Sequence, residues 1–342
     1  MADGMESLKK LSWELRDLDV GGTVQRLKGP PTALNFQREF VSANKPVIFT
    51  DCVDDWTAIK DWSPEYLAEK MGCKKIPIEV TPHGRADSVV VAEDSCGGGT
   101  ECFAEPHQEQ MDFRGFLDFL AASRLRSPPE VPYLQHQNNN LKESFPELCS
   151  DIHPEGPDWA KSAFGCNPEA VNIWIGDERS VTSFHKDHYE NIYVVVRGSK
   201  IFTLLPPTEV FRMHIKEYPS AKYIRDMNGE LNLAFTDSLK VPWSPVDLPE
   251  DPEKLSEAKL KWPLFFSEDL PPCIQCEVKA GEVLFLPSLW YHHVQQRPDV
   301  DSQWVVAVNF WYDMKFDARF AYHKFVEDVA GRAGLIEGRR IG

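Results

Sequence analysis

Long apolar runs are absent from this sequence. The longest ones, at residues 192–196 and 283–287, are only strand-sized, whereas a membrane-spanning helix needs about 20 apolar residues. Residues 1–10 lack the apolar core of a signal peptide, and residues 338–342 match no retention or lipidation signal. We therefore expect a protein outside the membrane, in the cytosol, with the nucleus as a second location.

The sequence also lacks a regular cysteine framework. Its eight cysteines are irregularly spaced, and reduced thiols are the default for a long chain without an export signal. Cys273 and Cys276 form a single Cys-x-x-Cys motif, and no second pair is spaced for a zinc site. We expect both cysteines to be strand residues rather than metal ligands.

Positive charge is in short supply. The chain has 53 acidic and 37 basic residues, a net charge of −16, and this balance disfavours a general nucleic-acid binder. A basic segment of another protein is the kind of partner that such a surface fits, although an ordinary acidic surface has the same composition. The 342 residues are 42% hydrophobic, enough for a sizeable core in one large unit or two smaller ones.

The first 130 residues mix helices and short strands. Periodicity and capping residues predict helices at 5–19 and 34–43, one starting at Ser63-Pro64-Glu65, and one at 112–123. Strands are predicted at 46–50 and 131–137, and residues 75–81 and 88–92 are predicted to pair as a hairpin. The Gly-rich residues 96–100 are predicted to form a mobile loop.

The chain from residue 170 to 312 is dominated by strands, which favours a double-sheet jelly roll. The expected fold is mainly β (α+β), a double-stranded β-helix with helices at both ends. Strands are predicted at 171–175, 182–187, 192–196, 200–205, 276–278, 283–286, 292–295 and 304–310. The expected regions are 1–130, a core at 131–315 with an insert at 217–272, and a terminal helix at 316–342. Within that helix four apolar residues could pack or form a homodimer: Phe316, Phe320, Phe325 and Val326.

The segment from Thr182 to Asp187 carries the first candidate site. Residues two apart on a strand point the same way, so His185 and Asp187 can hold one metal ion together, while Phe184 points to the opposite, packing face. Alone, His-x-Asp also fits a surface strand with a hydrogen-bonded histidine. His188 and Glu190 are less well spaced alternatives as ligands.

A second histidine from a distant strand would complete a face of two imidazoles and one carboxylate, which suits Fe(II) with open positions. His292 and His293 are the candidates. Because they are adjacent, only one can point inward. Their spacing leaves the choice open, and both could instead be packing residues beside Trp290 and Tyr291.

Lys200 is the candidate anion-binding residue. It follows a predicted hairpin turn at 197–199 and shares a strand face with Phe202 and Leu204. A lysine on an apolar face needs an anion, and a dicarboxylate would serve, although a solvated lysine at a hairpin edge fits the same spacing. Thr182 and Tyr133 could donate hydroxyl groups to the same carboxylate, or Tyr133 could belong to the core.

The pattern of Thr182, His185, Asp187, Lys200 and His292 resembles the jumonji-C family of Fe(II) and 2-oxoglutarate oxygenases. The blocks 185–191, 289–295 and 308–313 strengthen the resemblance. It implies His185, Asp187 and His292 as iron ligands and Lys200 as the partner of 2-oxoglutarate. It also implies that further residues line the cosubstrate pocket: Thr182, Tyr133, Asn191, Asn309, Trp174 and Trp311.

The resemblance further implies hydroxylation of a C–H bond in a protein side chain, with O2 consumed and 2-oxoglutarate converted to succinate and CO2. Within the family the blocks are most similar to the lysyl hydroxylases, which implies (3S)-lysyl hydroxylation of developmentally regulated GTP-binding proteins. The alternatives are an RNA hydroxylase, a catalytically silent binding module, and histone-tail endopeptidase or demethylase activity. Substrate specificity is expected to reside in the loop at 97–99 and the insert after residue 217.

Overall fold

The computed structural model describes residues 2–93, 98–125, 129–236, 240–299 and 303–337. Over those ranges the helices are α1 (Ala2–Leu15), α2 (Ala33–Phe36), α3 (Thr57–Asp61), α4 (Pro64–Met71), α5 (Phe113–Ser123), α6 (Asn140–Ser144), α7 (Asp158–Phe164), α8 (Pro252–Lys261) and α9 (Ala318–Arg332). No helix within these ranges is both long and apolar enough to cross a bilayer.

The strands in the same ranges are short and numerous, as the sequence predicts. They are β1 (Gln25–Lys28), β2 (Val47–Thr50), β3 (Ile76–Thr81), β4 (Arg85–Ala86), β5 (Ser88–Glu93), β6 (Gly99–Glu105), β7 (His107–Met111), β8 (Val131–Tyr133), β9 (Ala170–Gly176), β10 (Val181–His185), β11 (Tyr189–Arg197), β12 (Ser199–Leu205), β13 (Lys216–Tyr218), β14 (Ser220–Arg225), β15 (Leu231–Phe235), β16 (Val241–Trp243), β17 (Ile274–Lys279), β18 (Val283–Leu286), β19 (Tyr291–Arg297) and β20 (Val305–Asp313).

Two sheets face each other and enclose the site. The first has the order β1-β2-β18-β11-β20-β9, and the second has the order β17-β12-β19-β10-β4. Strands alternate between the two sheets from β9 to β12 and again from β17 to β20, so that β10 and β12 lie in the second sheet and β11 in the first. This arrangement confirms the predicted jelly roll. Strands β1, β2 and β4 come from before residue 131, while the division into three regions stays a prediction.

Alternating side chains give each sheet an inner and an outer face. On β12 the inward residues Phe202 and Leu204 join the core between the sheets, whereas Leu205 packs on the outside. The outer face of the first sheet is covered by the N-terminal helices, through buried residues such as Phe36 and Phe116.

Two predicted hairpins are wrong. Strand β3 pairs with β7 and β8, whereas β5 pairs with β6. The turn at 197–199 is not a hairpin turn either, because β11 pairs with β18 and β20 while β12 pairs with β17 and β19. Gly198, with φ of 69°, instead turns the chain from one sheet to the other. Sequence spacing cannot distinguish these two kinds of tight connection.

Other boundaries differ by a few residues. The predicted helix at 5–19 is α-helical up to Leu15 and continues as a π-helical turn, Arg16–Val20, and that at 34–43 is α2 followed by a second such turn, Gln37–Val41. The strand predicted at 131–137 ends at Tyr133, with one further bridge at Leu134. The start of the predicted loop at 96–100 lies outside the described residues, and Gly99 and Thr100 already belong to β6.

Two helix starts are confirmed at the predicted caps. The hydroxyl of Ser63 accepts a hydrogen bond from the backbone of Tyr66 at the start of α4. The carboxylate of Asp112 accepts one from Gly115 at the start of α5. Such caps satisfy backbone N–H groups that have no partner within the helix.

The insert at 217–272 is structured rather than a plain loop. It carries α8 and four strands within the described residues, β13 to β16, of which β13 begins at Lys216. Strand β14 pairs in parallel with β6, so the insert extends a sheet formed by the N-terminal region. The predicted strand position of the cysteine pair is correct for Cys276 in β17, while Cys273 directly precedes that strand.

Helix α9 packs against the outside of the second sheet. Val326 is buried there, whereas Phe316 and Phe325 are exposed, so the packing role is confirmed for Val326 and the homodimer stays a prediction. Lys186 anchors the helix by donating to Glu327 Oε1 at 2.5 Å. This contact joins α9 to the segment that carries the candidate metal ligands.

Candidate metal and cosubstrate site

Three side chains converge at one end of the second sheet. Asp187 Oδ2 lies 3.8 Å from His185 Nε2 and 3.7 Å from His292 Nε2. The ring centroids of the two histidines are 4.1 Å apart. Among the described residues, these three form the one group of at least three His, Cys, Asp or Glu side chains whose ligand atoms could all reach a single metal ion.

Both histidines are held in the tautomer that a metal ligand needs. Nδ1 of His185 lies 2.8 Å from the carbonyl oxygen of Ser183, and Nδ1 of His292 lies 3.0 Å from that of Trp290. A carbonyl oxygen can only accept, so each Nδ1 carries the proton. Each Nε2 therefore presents its lone pair toward Asp187, as ligating histidines do.

A bulge in β10 brings Thr182 and His185 to the same side. Thr182 is opposite Val294 and His185 is opposite His292, which leaves one extra residue on β10. Without the bulge, residues three apart on a strand would face opposite ways. Asp187 lies just beyond the end of β10 rather than on it, which corrects the predicted strand at 182–187, although its carboxylate still faces both histidines.

The structure distinguishes the two adjacent histidines. His292 points inward with Val294, while His293 lies on the outer face, where its ring centroid is 5.2 Å from that of Phe184. Nε2 of His293 is 3.7 Å from Asp247 Oδ1, away from the cluster. Burial and the nearby imidazole of His185 lower the pKa of His292 to about 4, so its ring is neutral and able to bind a metal.

Of the alternative ligands, neither faces the cluster. Glu190 is buried, and its carboxylate accepts from the backbone and the hydroxyl of Ser288. The ring of His188 lies against Phe316 and Phe320 on the C-terminal side of the molecule.

Lys200 lies deep between the sheets. It is 1% exposed, so the reading as a solvated lysine is wrong. Its ammonium donates to the hydroxyl of Tyr133 at 3.0 Å and to the side-chain carbonyl of Gln296, and no carboxylate of the described chain forms an ion pair with it. Burial lowers the pKa of Lys200 to about 7, because the charged form lacks a counter-ion.

Tyr133 and Thr182 lie beside that lysine, as predicted. Burial raises the pKa of Tyr133, and a hydrogen bond to the Thr182 side chain partly offsets the effect. The phenol therefore keeps its proton and can donate it in a hydrogen bond. The two hydroxyl groups and the ammonium converge on one enclosed region.

The first sheet supplies a polar and aromatic wall. Trp174 Nε1 donates to Asn309 Oδ1 at 2.9 Å, and Asn309 donates to Asn191 Oδ1 at 3.2 Å. Trp311 stacks on Tyr189 with centroids 5.0 Å apart. All four predicted wall residues, Trp174, Trp311, Asn191 and Asn309, thus lie on inward positions of β9, β11 and β20.

Comparison with known proteins agrees with this arrangement. A family model described as a cupin-like domain matches residues 33–318. The chain is 42% identical to lysine-specific demethylase JMJ32 of Arabidopsis thaliana, covering 96% of this chain and 92% of that protein. It is 35% identical to the bifunctional peptidase and (3S)-lysyl hydroxylase JMJD7 of Homo sapiens, covering 96% of both. The chain belongs to the jumonji-C family.

Members of the jumonji-C family are 2-oxoglutarate-dependent dioxygenases that use Fe(II), and this chain is one of these enzymes. The ligand chemistry fits the family's metal: two neutral imidazoles and one carboxylate occupy one side, which is the set found in non-haem Fe(II) oxygenases. The buried ammonium of Lys200, which has no carboxylate partner within the described chain, likewise fits a dicarboxylate cosubstrate.

Three residues of the jumonji-C site escaped the sequence analysis. Gln296 shares the inward face of β19 with His292, and this spacing of four could have revealed it. Gly176 leaves room for the Tyr133 ring, because a Cβ there would lie 2.6 Å from Tyr133 Cδ2. Trp243 stacks on His185 with ring centroids 6.1 Å apart and planes inclined by 5°. No sequence pattern indicates that the insert contacts β10, the strand that carries His185.

Proposed function

We propose that this enzyme is an Fe(II)- and 2-oxoglutarate-dependent protein hydroxylase that forms (3S)-hydroxylysine in a GTP-binding protein. The observation that carries the proposal is the convergence of His185, Asp187 and His292 in a chain that matches a (3S)-lysyl hydroxylase over 96% of both lengths. The proposed products are the hydroxylated lysine, succinate and CO2.

His185, Asp187 and His292 would hold the metal. Bound Fe(II) supplies the redox chemistry that couples oxidation of 2-oxoglutarate by O2 to insertion of oxygen into a C–H bond. The protein's own contribution is to fix the two imidazoles through the Ser183 and Trp290 carbonyls. The carboxylate of Asp187 would offset part of the positive charge of the Fe(II).

Lys200 would bind the distal carboxylate of 2-oxoglutarate, with Tyr133 and Thr182 donating hydrogen bonds beside it. A charge-assisted contact of this kind is strong in a pocket that excludes water. Asn191, Asn309, Trp174 and Trp311 would form the opposite wall. The buried hydrogen bonds from Trp174 to Asn309 and from Asn309 to Asn191 would restrict the cosubstrate to one orientation.

A demethylase is the second candidate, because the Arabidopsis relative that carries this name has the higher identity, 42% against 35%. Both reactions begin with the same metal and cosubstrate. The two reactions differ in the carbon that must approach the metal. It is the β-carbon of lysine in the hydroxylation and an N-methyl carbon in the demethylation.

Mass spectrometry of paired peptides separates these activities. Lysine peptides from GTP-binding proteins are incubated with enzyme, Fe(II) and 2-oxoglutarate, in unmodified and N-methylated forms, with a reaction lacking 2-oxoglutarate as control. We expect one added oxygen on an unmodified lysine and an equivalent amount of succinate. Loss of a methyl group from the methylated peptide, or cleavage of the chain, without oxygen on lysine would refute the proposal.

A further inference from the structure

A carboxyl group without a partner lies beside the metal cluster. Asp87 directly follows β4, the strand that pairs in parallel with β10. Its side chain forms no hydrogen bond or ion pair with any described residue, although the carboxyl is almost wholly enclosed by protein. Part of the residue is still accessible to solvent. The carboxyl therefore lies inside a concave opening rather than in the sealed core.

The backbone around Asp87 is held firmly in this position. Its φ is 49°, a conformation that is uncommon for residues other than glycine, asparagine and aspartate. Its carbonyl oxygen accepts from the hydroxyl of Ser183 at 2.5 Å. Ser183 is the residue whose own carbonyl orients His185, so the acid and the metal ligand are positioned by one residue.

The charges near Asp87 are mainly negative. Burial and the nearby carboxylates of Glu79 and Glu105 together raise its pKa to about 7, and His185 acts in the opposite direction. Glu79 accepts from the side chain of Gln135 through one oxygen, and its other oxygen lies 3.4 Å from Nδ1 of His136. Glu105 has no ion pair among the described residues. No lysine or arginine of the described chain contributes to the pKa of Asp87. Asp87 and Glu105 therefore have no ion-pair partner among the described residues, and the carboxyl of Asp87 also lacks a hydrogen bond there.

An aromatic surface adjoins these acids. Trp243, from the insert, is stacked on His185 and donates its Nε1 to the Ser183 hydroxyl at 3.2 Å. The ring of Phe103 packs on Trp243 with centroids 4.8 Å apart. Trp243 is partly exposed, so its indole ring is available to pack against an aliphatic chain.

We propose that Asp87, together with Glu105 and Glu79, binds the ammonium group of the substrate lysine, while Trp243 packs along its methylene groups. This inference rests on the proposed hydroxylase function and names its specificity-determining residues. The lysine ammonium lies four bonds beyond the β-carbon, so the acids that bind it must lie to one side of the metal ligands, as Asp87 does. A trimethylated ammonium has no N–H to donate and would bind less well.

Ligand-observed NMR tests the proposal without requiring turnover. The probes are N-acetyl-lysine methylamide and its norleucine analogue, which keeps the aliphatic chain and lacks the ammonium. They are titrated into the full chain loaded with Mn(II) and 2-oxoglutarate, and proton relaxation reports binding near the metal. We expect wild-type protein to prefer the lysine probe by roughly tenfold or more.

The decisive variant is Asp87→Asn, because asparagine tolerates the same backbone conformation. We expect this variant to bind the lysine probe about as weakly as the norleucine probe, with its affinity for norleucine unchanged. Asp118→Asn, an exposed carboxylate on α5, should keep the wild-type preference. If Asp87→Asn loses both probes, Asp87→Glu must restore a lysine preference for the proposal to stand.

The two proposals fail in different ways. A wild-type chain without lysine preference, or an Asp87→Asn variant that keeps it, overturns the cation site even if peptides are hydroxylated. A lysine preference that depends on Asp87, in a protein that adds no oxygen to any lysine peptide, keeps the cation site and refutes the hydroxylase.

Discussion

Ser183 and His185 are connected by a hydrogen bond of 2.8 Å from the imidazole Nδ1 to the serine carbonyl. The hydroxyl of the same serine contacts Asp87 and Trp243. One residue in the bulge of β10 thus orients a metal ligand with its backbone and the candidate substrate opening with its side chain.

Lys200→Ala should weaken 2-oxoglutarate binding while leaving iron binding nearly unchanged. The lost contact is a charge-assisted hydrogen bond worth about 1.5–3 kcal/mol, so we expect roughly a ten- to a hundredfold weaker affinity. Titration of 2-oxoglutarate measures the effect. Lys279→Ala, an exposed lysine on the neighbouring strand β17, is the matched control. An unchanged titration for Lys200→Ala would refute its role as the cosubstrate anchor.

The affinity for 2-oxoglutarate should fall as pH rises above about 7, the pKa of Lys200 in the folded protein. The dicarboxylate needs the protonated lysine, and the free protein loses that proton at higher pH. We expect up to about tenfold weaker binding per pH unit at first. Titrations from about pH 6 to about pH 9 should show this slope in wild type and none in Lys200→Ala.

The same pKa shift predicts the stability of the cosubstrate-free protein. Folding lowers the pKa of Lys200 from 10.5 to about 7. Between these two pH values the unfolded chain therefore binds more protons than the folded one. Stability should therefore rise with pH across that window. Lys200→Ala should lose this contribution in thermal unfolding, and an identical pH dependence in both proteins would contradict the assignment.

His292→Ala should affect turnover, whereas His293→Ala should affect mainly stability. His292 faces the cluster, so its loss should abolish Fe(II)-dependent turnover. His293 packs against Phe184 outside the sheet, so its loss should cost about 0.5–3 kcal/mol of stability and leave turnover largely intact. Turnover and thermal unfolding are measured on both variants. Loss of turnover in His293→Ala alone, with unchanged stability, would place the ligand one residue later.

Gly176→Ala should weaken 2-oxoglutarate binding by displacing the residues that contact Lys200. The added Cβ would lie 2.6 Å from Tyr133 Cδ2 and 3.0 Å from Gln296 Nε2, which displaces two partners of Lys200. We expect 2-oxoglutarate binding to weaken by roughly tenfold or more, with iron content retained. Gly22→Ala, where a Cβ meets nothing within 4 Å, is the control. Wild-type 2-oxoglutarate affinity in Gly176→Ala would show that the Tyr133 ring adapts freely.

The sequence predicted most of the metal and cosubstrate residues because they follow the alternation of strands. Lys200 could be placed on an apolar strand face from its neighbours at a spacing of two, whereas spacing left the choice between His292 and His293 open. The bulge in β10 could not be predicted, since an extra residue leaves no mark on the hydrophobic pattern. Thr182 could therefore be proposed as a hydroxyl donor, but its place on the same strand face as His185 could not be derived from the spacing.

Pairing between distant strands was the least predictable feature. The residues of β3 and β5 suit a hairpin, but their partners β7, β8 and β6 come later in the chain. Likewise nothing in the composition of the insert indicates that Trp243 stacks on His185. Long-range contacts of this kind depend on how the whole core packs rather than on local residue preferences.

The central claim is that His185, Asp187 and His292 hold the Fe(II) that drives the reaction, and Asp187→Ala tests it most directly. Bound iron per chain and succinate formed are measured for wild type, Asp187→Ala and Asp54→Ala, an exposed carboxylate away from the cluster. We predict that Asp187→Ala folds normally but loses both iron and succinate formation, while Asp54→Ala matches wild type. Wild-type iron content and wild-type succinate formation in Asp187→Ala would contradict the account.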